Sequence, residues 1–286
     1  MKKLILFILV LTSIQLGAQH RVGVRAGLNY STFRGPVEQG EDYAIGNGFH
    51  FGINYTYELN DIFGIRGEIL YVQRGAKQNY FSDDTYHIIR SLNINKFVEQ
   101  GMVDLKMDIS NAYLSIPVTA QLDVGRKLEI FGGMSVDFLV GPSGRGKLDF
   151  TSRDRPDDIF FIQSYDHRYN SDEAGEYNVI IPEFISIIVD GDRVELPKVV
   201  GAYYNFDSDQ KTGKRFNTVD AHLIFGGNYF INPGFYIGAR LEYGLTDITN
   251  DQMDYSLSEL DADENFIFRE DKDSSMSLSI SFGFRF

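Results

Sequence analysis

Cysteine and tryptophan are absent from this 286-residue chain, and proline occurs only seven times. Without cysteine the protein can form neither a disulfide scaffold nor a thiolate metal cluster, and it cannot be a lipoprotein anchored through a modified cysteine. The 27 basic residues are outnumbered by 40 acidic ones, which gives a formal net charge of −13. This balance excludes binding of nucleic acid or anionic lipid through a broad basic surface.

Long apolar runs are also scarce, and the one that stands out lies at the N-terminus. Two lysines precede an apolar run from Leu4 to Leu11, and the small residue Ala18 follows. The run is too short to cross about 30 Å of hydrocarbon. The pattern therefore predicts a signal peptide over residues 1–18, cleaved after Ala18, and a mature domain over residues 19–286. An exported, cysteine-free chain with 28 glycines and 14% aromatic residues is typical of an envelope β-protein.

The strongest pattern in the chain is alternation. From Met276 to Phe286, apolar residues alternate with serine, glycine and arginine, a period of two that indicates a strand with one apolar face. Seven earlier segments repeat the pattern: 22–30, 49–58, 63–74, 114–122, 128–138, 219–229 and 235–243. Such segments exceed the five or six residues usual in soluble strands and match an apolar band about 25 Å tall. The sequence predicts an all-β fold, an eight-stranded antiparallel transmembrane β-barrel.

The connections between these segments alternate in length. Short turns lie at 59–62, 123–126 and 230–234, and long links lie at 33–46, 76–110, 141–217 and 246–274. Short periplasmic turns and long extracellular loops are typical of outer-membrane barrels. An even number of strands then places both termini on the periplasmic side. The link 246–274 carries ten of the acidic residues and two basic ones, so much of the negative charge lies outside the membrane.

Several strand segments resemble a known family. The stretches that carry the likeness are GVRAGLNYS at 23–31, GIRGEILYVQRGAK at 64–77, YLSIPV at 113–118, YGLTDI at 243–248 and FGFRF at 282–286. They are similar to the PorT-like outer-membrane β-barrel proteins of Bacteroidetes-type bacteria, over roughly half the chain. The resemblance implies the barrel fold, with type IX protein secretion as the process associated with one relative.

Charged residues fall on the inward face of the predicted barrel. These are Arg25, Arg66, Glu68, Arg240 and Glu242, with Glu58 and Glu129 nearer the periplasmic rim. An eight-stranded barrel is only wide enough for its own side chains, and buried charge must be paired. We expect a lumen charge network that fills the barrel; an ion path or gate is the alternative.

Two other groups of residues suggest metal binding. His50, His222, Asp137 and Asp220 are predicted near the upper rim, where two histidines and two aspartates suit a divalent metal. The acidic link, with Asp247, Asp251, Asp254, Asp261, Asp263 and Glu264, offers oxygen ligands but lacks the D-x-[DN]-x-[DN]-G spacing of a calcium loop. No G-x-S-x-G motif or distinctive His–Ser spacing occurs. We predict no catalytic residue, cofactor or metal site, and interpret the acidic link as a solvated surface.

The C-terminus suggests how the barrel reaches its membrane. Phe284 and Phe286 lie on the lipid-facing register of the last strand, and a terminal aromatic resembles the signal read by the barrel-assembly machinery. We predict a protein of the outer membrane of a Gram-negative bacterium, in contact with outer-membrane lipid and with that machinery during insertion. Two functions stay open: a non-enzymatic envelope barrel whose extracellular loops, above all 141–217, bind a protein partner, and a narrow channel or transporter.

Overall fold

The computed structural model describes residues 19–93, 96–179 and 183–286. These residues form fourteen strands: β1 (His20–Arg34), β2 (Glu41–Glu58), β3 (Phe63–Ile89), β4 (Phe97–Val124), β5 (Leu128–Ser152), β6 (Phe160–Arg168), β7 (Phe184–Val189), β8 (Asp192–Pro197), β9 (Val199–Val200), β10 (Val219–Phe230), β11 (Phe235–Gly244), β12 (Tyr255–Leu260), β13 (Phe266–Phe268) and β14 (Ser274–Arg285). Within these ranges, no helix is long and apolar enough to cross a membrane. The predicted signal peptide, residues 1–18, lies outside the described residues.

Eight of the strands close into a barrel. In the order β1, β2, β3, β4, β5, β10, β11 and β14, each strand pairs antiparallel with both neighbours. The ring closes between β14 and β1, whose register runs from Gly23 opposite Arg285 to Arg34 opposite Ser274. The predicted fold, eight antiparallel strands closed between first and last, is confirmed.

The barrel wall has polar side chains inside and apolar side chains outside. On β14, Leu278, Ile280 and Phe282 are exposed, whereas the serines between them are buried. Such a wall suits a membrane, because its apolar side chains face lipid and its strands pair with both neighbours around the closed ring. The short turns after β2, β4 and β10 mark the predicted periplasmic end.

The predicted link 76–110 is not a loop, and this prediction was wrong. β3 continues to Ile89 and pairs with β4, which begins at Phe97. The alternation persists there with its faces exchanged: Lys77 and Lys106 point outward, and Tyr80 and Leu105 are buried inside. The outer face of a strand needs apolar residues only where it contacts lipid. Above the lipid-facing wall the outer face contacts water, so the apolar residues lie on the inner face and the alternation does not match the lipid-facing pattern.

The link 33–46 was also predicted too long. β1 extends to Arg34 and β2 begins at Glu41, so the connection spans only residues 35–40. The last link, 246–274, contains the short β12–β13 hairpin. In both places the strand pairing continues beyond the lipid-facing segments recognised in the sequence.

The longest predicted link, 141–217, contains the upper part of β5 and the strands β6 to β9. β5 runs through its first part to Ser152 and pairs with β4 and β6, while β7 and β8 form a hairpin. The fifth barrel strand therefore extends outward beyond the barrel wall, whereas the sixth, β10, begins only at Val219.

A β-bulge marks where the faces of β5 exchange. Tyr113 lies opposite Leu139 and Ala112 opposite Gly141, so Val140 is the extra residue. One extra residue shifts the alternation by one, as is usual for bulges at barrel rims. Below the bulge, Phe138 faces lipid; above it, Leu148 and Phe150 turn inward.

We call the described residues of 77–108, 142–217 and 246–273 the cap. Its apolar core is made of Tyr80, Ile89, Val103, Leu105, Leu148, Phe150, Ile159, Phe161, Ile187, Val194 and Leu196. A second cluster closes the barrel mouth beneath the cap, formed by Phe33, Ala76, Met107, Ile109, Tyr113, Leu139, Tyr169, Phe216 and Ile248. We call this second cluster the apolar lid, and the charged lumen lies below it.

Candidate functional site

The centre of the lumen is a carboxylate between two arginines. Glu68 Oε2 accepts a hydrogen bond from Arg240 Nη2, and Glu68 Oε1 lies 3.4 Å from Arg25 Nη1. Arg25 also donates to Ser281 Oγ at 2.5 Å. β1, β3 and β11 supply these charged residues at inward positions, and all three are buried. A single carboxylate thus holds strands from opposite parts of the ring.

The ion pairs continue upward without a break. Arg240 Nη1 lies 3.6 Å from Glu242 Oε1, and Glu242 Oε2 lies 2.8 Å from Arg74 Nη2. Arg74 Nη1 donates to Asp137 Oδ2 at 2.7 Å, and the Arg74 guanidinium lies over the Tyr113 ring at 5.5 Å. The chain of pairs therefore ends directly beneath the apolar lid.

Arg66 belongs to a separate pair lower in the barrel. Its Nη1 and Nη2 donate to the two oxygens of Glu129 at 2.9 and 3.0 Å, the bidentate geometry that makes arginine–carboxylate pairs strong. Asn228 Nδ2 also donates to Glu129 at 2.6 Å. Glu129 was placed near the periplasmic rim by its position in the sequence, yet it is buried; Glu58 does lie at the rim, paired with Arg21 at 2.7 Å.

The structure thus places the five predicted network residues in two groups. Arg25, Glu68, Arg240 and Glu242 lie in one chain of ion pairs, and Arg66 lies in the other with Glu129. Sequence reasoning missed Arg74 as the residue that links Glu242 to Asp137. Its inward parity on β3 was visible, but its partners lie on β5 and β11, and only the closed ring brings these together.

This arrangement can fill and brace the barrel. Each buried charge would be costly alone, and pairing with additional hydrogen bonds offsets that cost. The ion-paired residues named in the lumen are all less than 5% exposed, so their side chains fill the space between the strands. The geometry leaves no open aqueous path along the ion pairs.

A serine, a histidine and an aspartate meet at the top of the lumen. His222 Nδ1 lies 2.8 Å from Asp137 Oδ2, and its Nε2 lies 2.7 Å from Ser275 Oγ and 3.3 Å from Asp220 Oδ2. The order resembles the triad of serine hydrolases. Ser275 is only 2% exposed and His222 is fully buried, so a substrate carbonyl cannot contact the hydroxyl.

Of the four residues considered for metal binding, only three meet. Asp137, His222 and Asp220 lie together, whereas His50 pairs elsewhere, with Asn29 Oδ1 at 2.7 Å and Ser281 Oγ at 3.0 Å. His50 lies on β2 and His222 on β10, which are on different sides of the ring. The predicted four-residue constellation at the rim is therefore not formed.

The two C-terminal aromatics lie at the periplasmic end of the barrel. Phe284 faces outward opposite Val24 of β1 and Phe235 of β11, and Phe286 follows the end of β14. Both side chains are exposed, with ring centroids 5.0 Å apart. They form an accessible aromatic pair beside the strand that closes the ring.

Comparison with known families agrees with this architecture. Residues 17–250 match the sequence profile of a family described as an outer membrane protein beta-barrel domain. The chain belongs to this family. The description of this family is no more specific than an outer-membrane β-barrel. The more specific likeness to PorT-like proteins stays a prediction. No curated protein matches the chain.

Three solved structures of bacterial proteins are among those to which the chain is similar. Ail, the attachment invasion locus protein of Yersinia pestis, is 12% identical with a TM-score of 0.36, over 94% of this chain and 99% of that chain. Neisserial surface protein A is 11% identical with a TM-score of 0.35, over 92% and 95%. OprG from Pseudomonas aeruginosa is 11% identical with a TM-score of 0.33, over 94% and 96%.

Proposed function

We propose that this outer-membrane barrel is a non-enzymatic envelope component whose cap binds a protein partner outside the cell. The observation that carries the proposal is the contrast between a filled lumen and a built cap. The lumen is crossed by paired, buried charges and covered by an apolar lid. The cap has an apolar core of its own, and it contains more structure than is needed to connect the barrel strands.

The surface of the cap supports binding of a protein partner. Phe160, Ile162 and Val179 are more than half exposed on the β6 side of the cap. Long connections with their own structure usually have a role, and binding residues tend to lie on loops held by a rigid scaffold. The segment 141–217 is the largest such region of the chain.

Removal of the cap tests the proposal. We design a variant in which residues 78–107 and 143–215 are each replaced by a short Gly/Ser turn, since trimming 143–215 alone would expose the apolar face of β3 and β4. The barrel should still fold, shown by altered gel migration before and after boiling, and should fail to complement a deletion strain. A Gly/Ser substitution of the periplasmic turn at 60–62 is the control. Full complementation by the barrel without residues 78–107 and 143–215 would refute the proposal.

A narrow channel or transporter is the second candidate, and it is tested by conductance. The pure protein in a planar bilayer should show no stable conductance, because the ion pairs and the lid fill the lumen. Stable single-channel steps from the wild-type protein would favour the channel. Co-purification from native membranes, with and without the cap, identifies what the cap binds.

The finer expectations about location and process belong to the same proposal. Export by a signal peptide cleaved after Ala18 gives a mature N-terminus at Gln19, which mass spectrometry of the membrane-extracted protein measures. Insertion by the barrel-assembly machinery places it in the outer membrane of a Gram-negative cell. The resemblance to PorT-like proteins makes type IX secretion the process that the partner serves, which predicts reduced release of type IX cargo from the deletion strain.

A further inference from the structure

Three carboxylates converge at the base of the β12–β13 hairpin. Asp254 directly precedes β12, and Asp271 and Asp273 lie between β13 and β14. One oxygen from each lies within 4.8 Å of the others. Asp254 is 4% exposed and Asp273 is 7% exposed, so the interpretation of this link as a solvated acidic surface is wrong at its base.

The protein leaves part of this cluster without hydrogen bonds. Oδ2 of Asp254 is a buried atom with no hydrogen-bond partner, and so is Oδ1 of Asp271. The other oxygen of Asp254 lies 3.8 Å from Arg215 Nη2. Buried acceptors are almost always paired, because a lost hydrogen bond to water is costly. Two unpaired oxygens at one cluster therefore point to a missing electropositive ligand.

Neighbouring arginines do not balance the charge. Arg269 pairs with Asp271 and lies 3.5 Å from Glu41 Oε2, and Arg215 faces Asp254, so two guanidiniums face four carboxylates. The surplus is two negative charges, which one divalent cation neutralises.

We propose that Asp254, Asp271 and Asp273 bind a calcium ion that fastens the β12–β13 hairpin to the start of β14. Calcium takes six to eight oxygen ligands at about 2.4 Å, so two ligands on opposite sides of the ion are about 4.8 Å apart. The three oxygens meet that limit without rearrangement. Water completes the coordination from the partly exposed side of Asp271. The ligands come from the two sides of a hairpin base, which a search for one continuous calcium loop does not detect.

Titration of the full chain with CaCl2 tests the site. The protein is folded in detergent, treated with chelator, and titrated by calorimetry while the thermal midpoint of the cap is followed. We expect one saturable site with a dissociation constant of about 10⁻⁴ to 10⁻³ M, typical of extracellular calcium modules. The thermal midpoint should rise with calcium, and Mg²⁺ at the same concentration should raise it less.

Asn substitutions locate the site. Asp273→Asn and Asp271→Asn should each weaken calcium binding at least about tenfold, the equivalent of 1.4 kcal/mol. Asp273→Asn should also be more stable than the wild type in chelator, because it relieves repulsion among buried carboxylates. Asp263→Asn, an exposed residue of the same link, is the matched control and should bind calcium as the wild type does.

The inference is overturned by the wild-type protein alone if no saturable binding occurs at calcium concentrations well above the expected dissociation constant. Equal binding by Asp273→Asn and the wild type would also overturn it, and so would an equal or larger midpoint shift with Mg²⁺. The wild-type titration does not depend on whether a variant folds, and the chelator measurement shows directly whether Asp273→Asn does.

Discussion

The barrel and the cap are built from the same strands with opposite faces. In the lower parts of β3, β4 and β5, apolar side chains point outward and polar ones inward; above the Val140 bulge, the polar side chains point outward and the apolar ones pack inside. Period-two alternation is present in both regions. The comparison teaches that alternation predicts a strand, whereas the surrounding solvent decides which face is buried.

The two regions also differ in what stabilises their interiors. The lumen depends on ion pairs in an enclosed space, where loss of one partner leaves a buried charge. The cap depends on aromatic and aliphatic packing, as in Phe150 against Phe161 with ring centroids 5.3 Å apart. Mutations should therefore act by different mechanisms in the two regions, and the following experiments test that division.

The largest effect is expected from loss of the C-terminal residues of the barrel. Deletion of residues 284–286 removes the exposed aromatic pair and the pairing of Phe284 with both β1 and β11. We expect outer-membrane insertion to fall to a small fraction of normal, measured by fractionation and gel migration. Arg285→Ala, which keeps both aromatics, is the control. Normal amounts of the truncated protein in the membrane would show that insertion needs neither the terminal aromatics nor the pairing of Phe284 with β1 and β11.

The next effect concerns the lumen. Glu68→Ala leaves Arg25 and Arg240 without their shared carboxylate and should lower the free energy of unfolding by about 3–5 kcal/mol. The measurement is denaturant unfolding in lipid vesicles. Glu58→Ala removes a rim pair with Arg21 and should cost less than about 1 kcal/mol. A stable conductance from Glu68→Ala with unchanged stability would favour the channel function.

A smaller and more local effect is expected in the cap. Phe150 is fully buried in the cap core, so Phe150→Ala should cost about 3 kcal/mol through the cavity it leaves. Hydrogen exchange should accelerate over 97–108 and 144–152 and stay unchanged in β11 and β14. Phe138→Ala removes a lipid-facing ring from the same strand and serves as the control. Loss of protection throughout the barrel would show that the two regions unfold as one.

The smallest effect is a pH dependence of the cap. His167 lies on β6, outside the membrane, and burial lowers its pKa to about 3, with Arg215 adding to the shift. Because the unfolded chain binds a proton near pH 6.5 and the folded cap does not, stability falls as the pH drops from about 6.5 towards 3. At pH 5 the loss is about 2 kcal/mol.

His167→Gln isolates that contribution. It should reduce the difference in cap stability between pH 7.5 and pH 5, measured by hydrogen exchange at matched intrinsic rates. The control is His20→Gln at the opposite, periplasmic end of the barrel. An identical pH dependence in His167→Gln and the wild type would remove His167 as its source.

The eight barrel strands were predictable because lipid imposes one apolar face on every strand. Residues 276–286 alternate so strictly that both strand and facing follow from the sequence. The upper parts of β3 and β4 escaped detection, since the pattern was interpreted with a single facing. The pair of Arg74 with Glu242 depends on closure of the ring, which brings β3 opposite β11, and the pair of Arg66 with Glu129 joins two strands that flank β4. A period of two carries no information about such cross-barrel distances.

The length of the β3–β4 hairpin also sets how far the protein reaches. From Ala76 to Ile89 the pair rises along roughly 40 Å of strand, at about 3.3 Å per residue. Even when tilted, the upper end of the pair stands well above the lipid-facing part of the barrel. A two-stranded ribbon of this length would bend alone, and packing of β5, β6 and the β7–β8 hairpin against it keeps it upright. The molecule thus holds its outermost residues at a fixed distance above the lipid-facing wall. Large molecules that cannot approach the lipid can contact them there.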